Sequence, residues 1–103
     1  MVLLDFSMSP LDKGISLSPY VARVLEVVAS SGLDYQLHAM GTIVEGDWNA
    51  VFDVVRRCFE ALKADCQRIS CTIKVDYREG PGGRLRGKVE RVQALTKQPL
   101  RTG

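Results

Sequence analysis

His38-Ala39-Met40-Gly41-Thr42-Ile43-Val44-Glu45-Gly46-Asp47-Trp48 is the stretch that decides how this chain folds. It compresses the end of one strand, a reversal, a second strand and a helix start. Tyr35, Leu37 and Ala39 alternate with Gln36 and His38, so Asp34 to Ala39 reads as a strand with one buried face. Met40-Gly41 is the reversal. Glycine is expected to supply a positive φ there, while Met40 argues against a regular type I′ turn and favours a type II-like turn or a bulge. Thr42 to Glu45 forms the next strand, Gly46 ends it, and Asp47 is placed to cap a helix. The segment also carries the single His and the single Trp of the chain.

Upstream, Val2, Leu4, Phe6 and Met8 alternate with Asp5 and Ser7, which predicts a half-buried first strand. Pro10, Asp12 and Gly14 mark a loop. Ser18 followed by Pro19 reads as an N-cap and first helical residue. Val21, Val24, Leu25 and Val28 give that helix its apolar stripe, and Gly32 stops it as a left-handed residue with Leu33 packing back. Downstream, Val51, Phe52, Val55, Phe59 and Leu62 recur at helical spacing in a helix reaching about Ala64. Arg68 to Tyr77 is a fourth strand, with Ile69, Cys71, Ile73, Val75 and Tyr77 inward. Glu79 to Gly83 is a flexible break. Leu85, Val89, Val92 and Leu95 then predict a short amphipathic helix followed by a loose tail.

The resulting order, βαββαβ, predicts an α+β ferredoxin-like sandwich: an antiparallel sheet with two helices on one face, plus a C-terminal helix. The organisation expected is a ferredoxin-like domain over 1–78, then a Gly-rich linker and C-terminal helix or tail over 79–103. The second sheet face would show Asp5, Ser7, Gln36, His38, Ser70, Thr72, Lys74 and Asp76. It is expected to be uncovered by its own chain and so solvated, a wet subunit interface or a ligand surface. Tyr20 and Val27 lie off the main stripe of the first helix, which favours an oligomer.

The 103 residues suit one small domain with a modest core. A net charge of +2, with no basic run interleaved with aromatics, gives no footprint for nucleic acid. No apolar stretch is long enough to span a membrane and no signal peptide is evident, so a cytoplasmic protein is the expectation. The three cysteines, Cys58, Cys66 and Cys71, are an odd number, which argues against a disulfide framework; they form no C-x-x-C pair and are poorly spaced for zinc.

Four runs together resemble the small thiamine-binding protein family. They are Ser18-Pro19-Tyr20-Val21-Ala22, Ser31-Gly32-Leu33-Asp34-Tyr35-Gln36-Leu37, Met40-Gly41-Thr42 with Glu45-Gly46-Asp47-Trp48, and Thr72-Ile73-Lys74-Val75-Asp76-Tyr77-Arg78. The resemblance covers residues 2 to 78. It implies a homotetramer of sheet-packed dimers that binds thiamine or its hydroxymethylpyrimidine part without catalysis. The Gly-rich run from Glu79 to Arg86 departs from the pattern, as do the three cysteines.

An aminopyrimidine is flat, with ring-nitrogen acceptors and an exocyclic amine. It needs an apolar wall, a hydroxyl or amide donor, and an acceptor. The candidates are His38 as donor or acceptor, Thr42 toward a ring nitrogen with Gly41 beside it, and Glu45 accepting from the amine. Met40 and Tyr20 would be walls, and Ser7 and Ser18 offer short hydroxyls. Each has a plainer use in packing, capping or the turn. Gly80-Pro81-Gly82-Gly83 lacks the Lys-Ser/Thr of a phosphate loop, so a diphosphate has no specific support. No metal or further cofactor is expected. Catalysis by a Cys–His pair would need Cys71 and His38 to meet, yet alternation puts them on opposite faces. The alternative to a ligand-binding protein is a structural or regulatory oligomer.

Overall fold

The computed structural model describes residues 1–102. The elements are β1 (Val2–Pro10), α1 (Ser18–Ser30), β2 (Asp34–His38), β3 (Gly41–Gly46), α2 (Trp48–Lys63), β4 (Ile69–Tyr77) and α3 (Arg84–Leu95). The strands form one antiparallel sheet in the order β2-β3-β1-β4. This is the split arrangement of a ferredoxin-like α+β sandwich.

β1 lies in the middle of the sheet because its alternation is the cleanest. Val2, Leu4, Phe6 and Met8 are buried, and Leu4 stands opposite Val44 on one side and Val75 on the other. The helical face of the sheet meets Val24 and Val28 of α1 and Val51, Val54, Val55, Cys58 and Leu62 of α2 in one core. The α2 stripe is therefore rotated from the expected one. Cys58 is fully buried, while Phe59 is half out in solvent with the Lys63 ammonium 5.8 Å from its ring centroid.

Several local expectations are corrected. Ser18 is not the N-cap of α1: Leu17 is, with its carbonyl accepting from the Tyr20 and Val21 amides, so Ser18 begins the helix itself. Asp47 occupies the N-cap position of α2 but makes no side-chain capping bond. β2 ends at His38, leaving Ala39 and Met40 as a two-residue turn. Gly32 does adopt the left-handed conformation, at φ 82°, beyond the C-cap Ser31 of α1.

The largest correction concerns the second sheet face. α3 packs on it, against β2 and β3. The Glu45 carboxylate accepts the backbone N–H of Gly83 at 3.0 Å and of Arg84 at 2.9 Å, closing the α3 N-terminus. Arg84 folds back, donating to the Asp76 carboxylate at 3.1 Å and carbonyl at 3.0 Å and to the Met1 carbonyl at 3.3 Å. Lys88 adds an ion pair to Asp76 at 2.6 Å. The face expected to lie open is thus partly covered by its own chain. Beyond α3 the Gln93 side chain bonds both Gln98 and Leu100, tying the tail back.

Candidate binding cavity at the β2–β3 turn

Parity along β2 and β1 puts His38 and Asp5 on the same sheet face, and pairing through β3 brings them together. His38 Nε2 lies 3.0 Å from Asp5 Oδ1, and His38 Nδ1 accepts the Met40 N–H at 3.2 Å. A nitrogen that accepts cannot carry the proton, so the ring is the Nε2–H tautomer donating to Asp5. The imidazole therefore joins the turn backbone to the central strand.

Gly41 follows the turn, and its role differs from the expected one. Its φ is not positive. A Cβ there would lie 2.7 Å from the Phe6 carbonyl oxygen, 3.3 Å from Asp5 Oδ1 and 3.4 Å from His38 Cε1. Only a residue without a side chain lets β3 sit this close to β1 beside the His38–Asp5 pair.

The turn closes one end of a cavity of about 270 Å³. The end of β1 and the start of α1 form its other sides, and Phe6, Met8, Leu17, Val21, Val24 and Leu37 give it apolar walls. Polar groups come from Ser9, Thr42 and the turn. Thr42 is only 3% exposed and brings a hydroxyl to a largely apolar wall; Met40 projects at the rim, 82% exposed. The volume lies just below the usual range of ligand sites, roughly 300–1,000 Å³.

Of the residues singled out in the sequence, Ser7, His38, Met40, Gly41 and Thr42 line this cavity. The other three do not. Ser18 is exposed at the first position of α1. Tyr20 packs on the core with the Arg23 guanidinium 5.3 Å from its ring centroid. Glu45 lies under α3 on the far side of the sheet, 5% exposed, with both oxygens engaged by α3 amides. The pairing of Asp5 with His38 and the apolar walls from Leu17 and Val21 were not anticipated. Shared parity signalled the first; nothing local signalled the second.

A wider groove of about 670 Å³ runs between the second sheet face and α3, past Gln36, Ile43, Leu85 and Val89. His38 borders both recesses. The Cys58 thiol is buried, and desolvation pushes its pKa up to about 11, so it is no thiolate nucleophile near neutrality. Among the described residues no cluster of His, Cys, Asp and Glu is arranged to hold a metal ion, and no helix is long and apolar enough to cross a membrane.

The model of a family described as thiamine-binding protein matches residues 4–93. A UPF0045 protein of Mycobacterium bovis is 40% identical over 99 residues, covering 95% of this chain and 97% of the relative. The crystal structure of a hypothetical protein from Methanocaldococcus jannaschii superposes with a TM-score of 0.81 at 28% identity, covering 88% of this chain and 94% of that one. A proposed thiamine biosynthesis/salvage protein of Thermotoga maritima shares the fold, with a TM-score of 0.76 at 23% identity over 88% of this chain and 97% of that one. The family match spans most of the chain and agrees with the runs around Ser18, Gly32, Met40 and Thr72, so the chain belongs to the thiamine-binding protein family.

Proposed function

We propose that this protein binds thiamine, or its hydroxymethylpyrimidine part, in the cavity at the β2–β3 turn, without catalysis and as a homotetramer. Family membership supplies the ligand class. The observation that carries the site is the convergence of Ser7, His38, Met40, Gly41 and Thr42 on one apolar-walled recess. A flat heteroaromatic ring stacks between such walls while the Thr42 hydroxyl bonds a ring nitrogen. A thiazolium left at the mouth carries a positive charge, which the Asp5 carboxylate, bonded to His38 behind the turn, would favour. The three free thiols suit a reducing compartment, and this reading puts the protein in the cytoplasm.

Binding rather than turnover is favoured because the polar groups at the turn hold the backbone and Cys58 is buried as a thiol. Isothermal titration with thiamine, hydroxymethylpyrimidine and thiamine diphosphate tests the reading. Saturable micromolar or tighter binding of either of the first two supports it. Absence of heat with all three, on the assembled protein, contradicts it and leaves a structural or regulatory oligomer.

A further inference from the structure

We infer that Ile15 is a ligand-binding residue: the loop between β1 and α1 closes over the cavity at the β2–β3 turn when a ligand enters, and Ile15 becomes its outer wall. The inference rests on the reading of that cavity as the thiamine or pyrimidine site and adds a residue from outside its lining.

Both ends of this loop belong to the cavity. Met8 and Ser9 lead into it, Leu17 closes it, and all three line the recess. Both ends are also fixed. The Leu11 N–H donates to the Arg68 carbonyl at 2.7 Å, and the Asp12 carboxylate accepts the Gln67 N–H at 2.8 Å. At the far end the Leu17 carbonyl accepts from the Tyr20 and Val21 amides. Between these anchors, among the described residues, Lys13, Gly14, Ile15 and Ser16 make no hydrogen bond, so the segment can move without breaking one. Gly14 adopts φ 78° with open space where a Cβ would lie, so its dihedrals can change without a clash. It is the hinge, and Ile15 and Ser16 beyond it are the part that swings. Closure of a short loop between fixed ends is a common way of sequestering a ligand.

Ile15 gives the closure its purpose. It is fully exposed, more so than any other large apolar side chain among the described residues. It stands two residues before Leu17, within about 7 Å along the backbone, so a swing at Gly14 brings it to the mouth. Met40 already projects there from the turn. Ligand sites bury most of the surface of what they bind, and a recess of about 270 Å³ is small for that. Laying Ile15 on a flat ring removes apolar area of both from water.

Titration of the wild type and of Ile15→Ser with thiamine and hydroxymethylpyrimidine, together with stopped-flow release, tests this. The substitution should weaken binding about ten-fold, mostly through faster release. The urea midpoint and sedimenting mass of the protein alone should not change, because Ile15 packs on nothing. Nuclear Overhauser contacts should join the Ile15 methyls to the bound ring in the wild type. Equal affinity and release rate in the variant overturn the closure and leave the proposed site standing. Weaker binding without those contacts overturns it too, and a changed mass assigns Ile15 to a contact between copies instead. A wild type that binds neither compound overturns the proposed function and this contact with it.

Discussion

His38 and Asp5, 33 positions apart in the chain, meet at 3.0 Å, and the other ring nitrogen of His38 holds the Met40 amide. One neutral imidazole thereby ties the two-residue turn to the central strand beside the cavity. His38→Ala should loosen the turn, lowering stability by about 1 kcal/mol for the lost hydrogen bonds. Thiamine affinity should fall with it. Asp5→Asn keeps an oxygen acceptor at that position and should cost less. Urea midpoints together with titration of the ligand check both.

Thr42 and Val differ by a hydroxyl against a methyl group. Thr42→Val should leave the fold nearly as stable while weakening thiamine or pyrimidine binding about ten-fold, because the hydrogen bond is lost only in the complex. Equal affinity in the variant would show that the hydroxyl serves only the turn.

Gly41 and Gly46 bracket β3 and should respond differently to a methyl group. At Gly41 the new Cβ meets the Phe6 backbone oxygen at 2.7 Å, which cannot move without parting the strands. Gly41→Ala should cost about 2 kcal/mol and displace the His38–Asp5 pair. At Gly46 the nearest atoms are the Leu33 side-chain methyls at 3.3 Å, which can rotate. Gly46→Ala should cost less than Gly41→Ala. Thermal melts of the two variants test the order.

Sequence alternation identified the buried face of β1, and the helix stop identified the left-handed Gly32, because these depend on neighbours within a few positions. Along β4 the residues read as inward are largely exposed, Cys71, Ile73 and Tyr77 among them, and of the α3 stripe Leu85, Val89, Val92 and Leu95 only Leu85 is buried. Five of the eight candidate residues, chosen for the chemistry of an aminopyrimidine ligand, line one recess. Alternation and residue type failed where distant segments decide. Glu45 reads as an exposed strand end until α3 returns across the sheet and takes its carboxylate. Ser18 reads as a cap by type, yet the helix starts at the Leu17 carbonyl one residue earlier. Gly41 reads as a turn glycine, whereas the constraint comes from Phe6 across the ladder.

Glu45→Ala should release α3. It leaves the Gly83 and Arg84 amides without acceptors, a loss of about 2 kcal/mol. Amide hydrogen exchange should rise across α3 while β1 and α2 remain protected. Uniform exchange throughout would show that α3 is not an independently released element.

Acid should loosen a second anchor of α3, the Asp76 carboxylate that holds Arg84 and Lys88. The Lys88 ammonium, with Arg84 beside it, holds the Asp76 carboxyl below its usual range. A depressed folded pKa means that the stabilisation is complete above the unfolded value of about 3.9 and is lost as pH falls through the lower folded value. Asp65, paired with Arg23, and Asp12, bonded by the Gln67 amide, act with the same sign. The urea midpoint should therefore drop between pH 5 and pH 3, and Asp76→Asn should reduce the drop without abolishing it.

The most direct test of the binding site is an amide chemical-shift map of the assembled, isotope-labelled protein during titration with thiamine. The largest changes should fall on Phe6 to Ser9, Leu17 to Leu25 and Leu37 to Thr42, the segments that enclose the cavity. Saturable changes confined to the groove between α3 and the sheet, around Ile43, Leu85 and Val89, would contradict the assignment of the ligand to the β2–β3 turn.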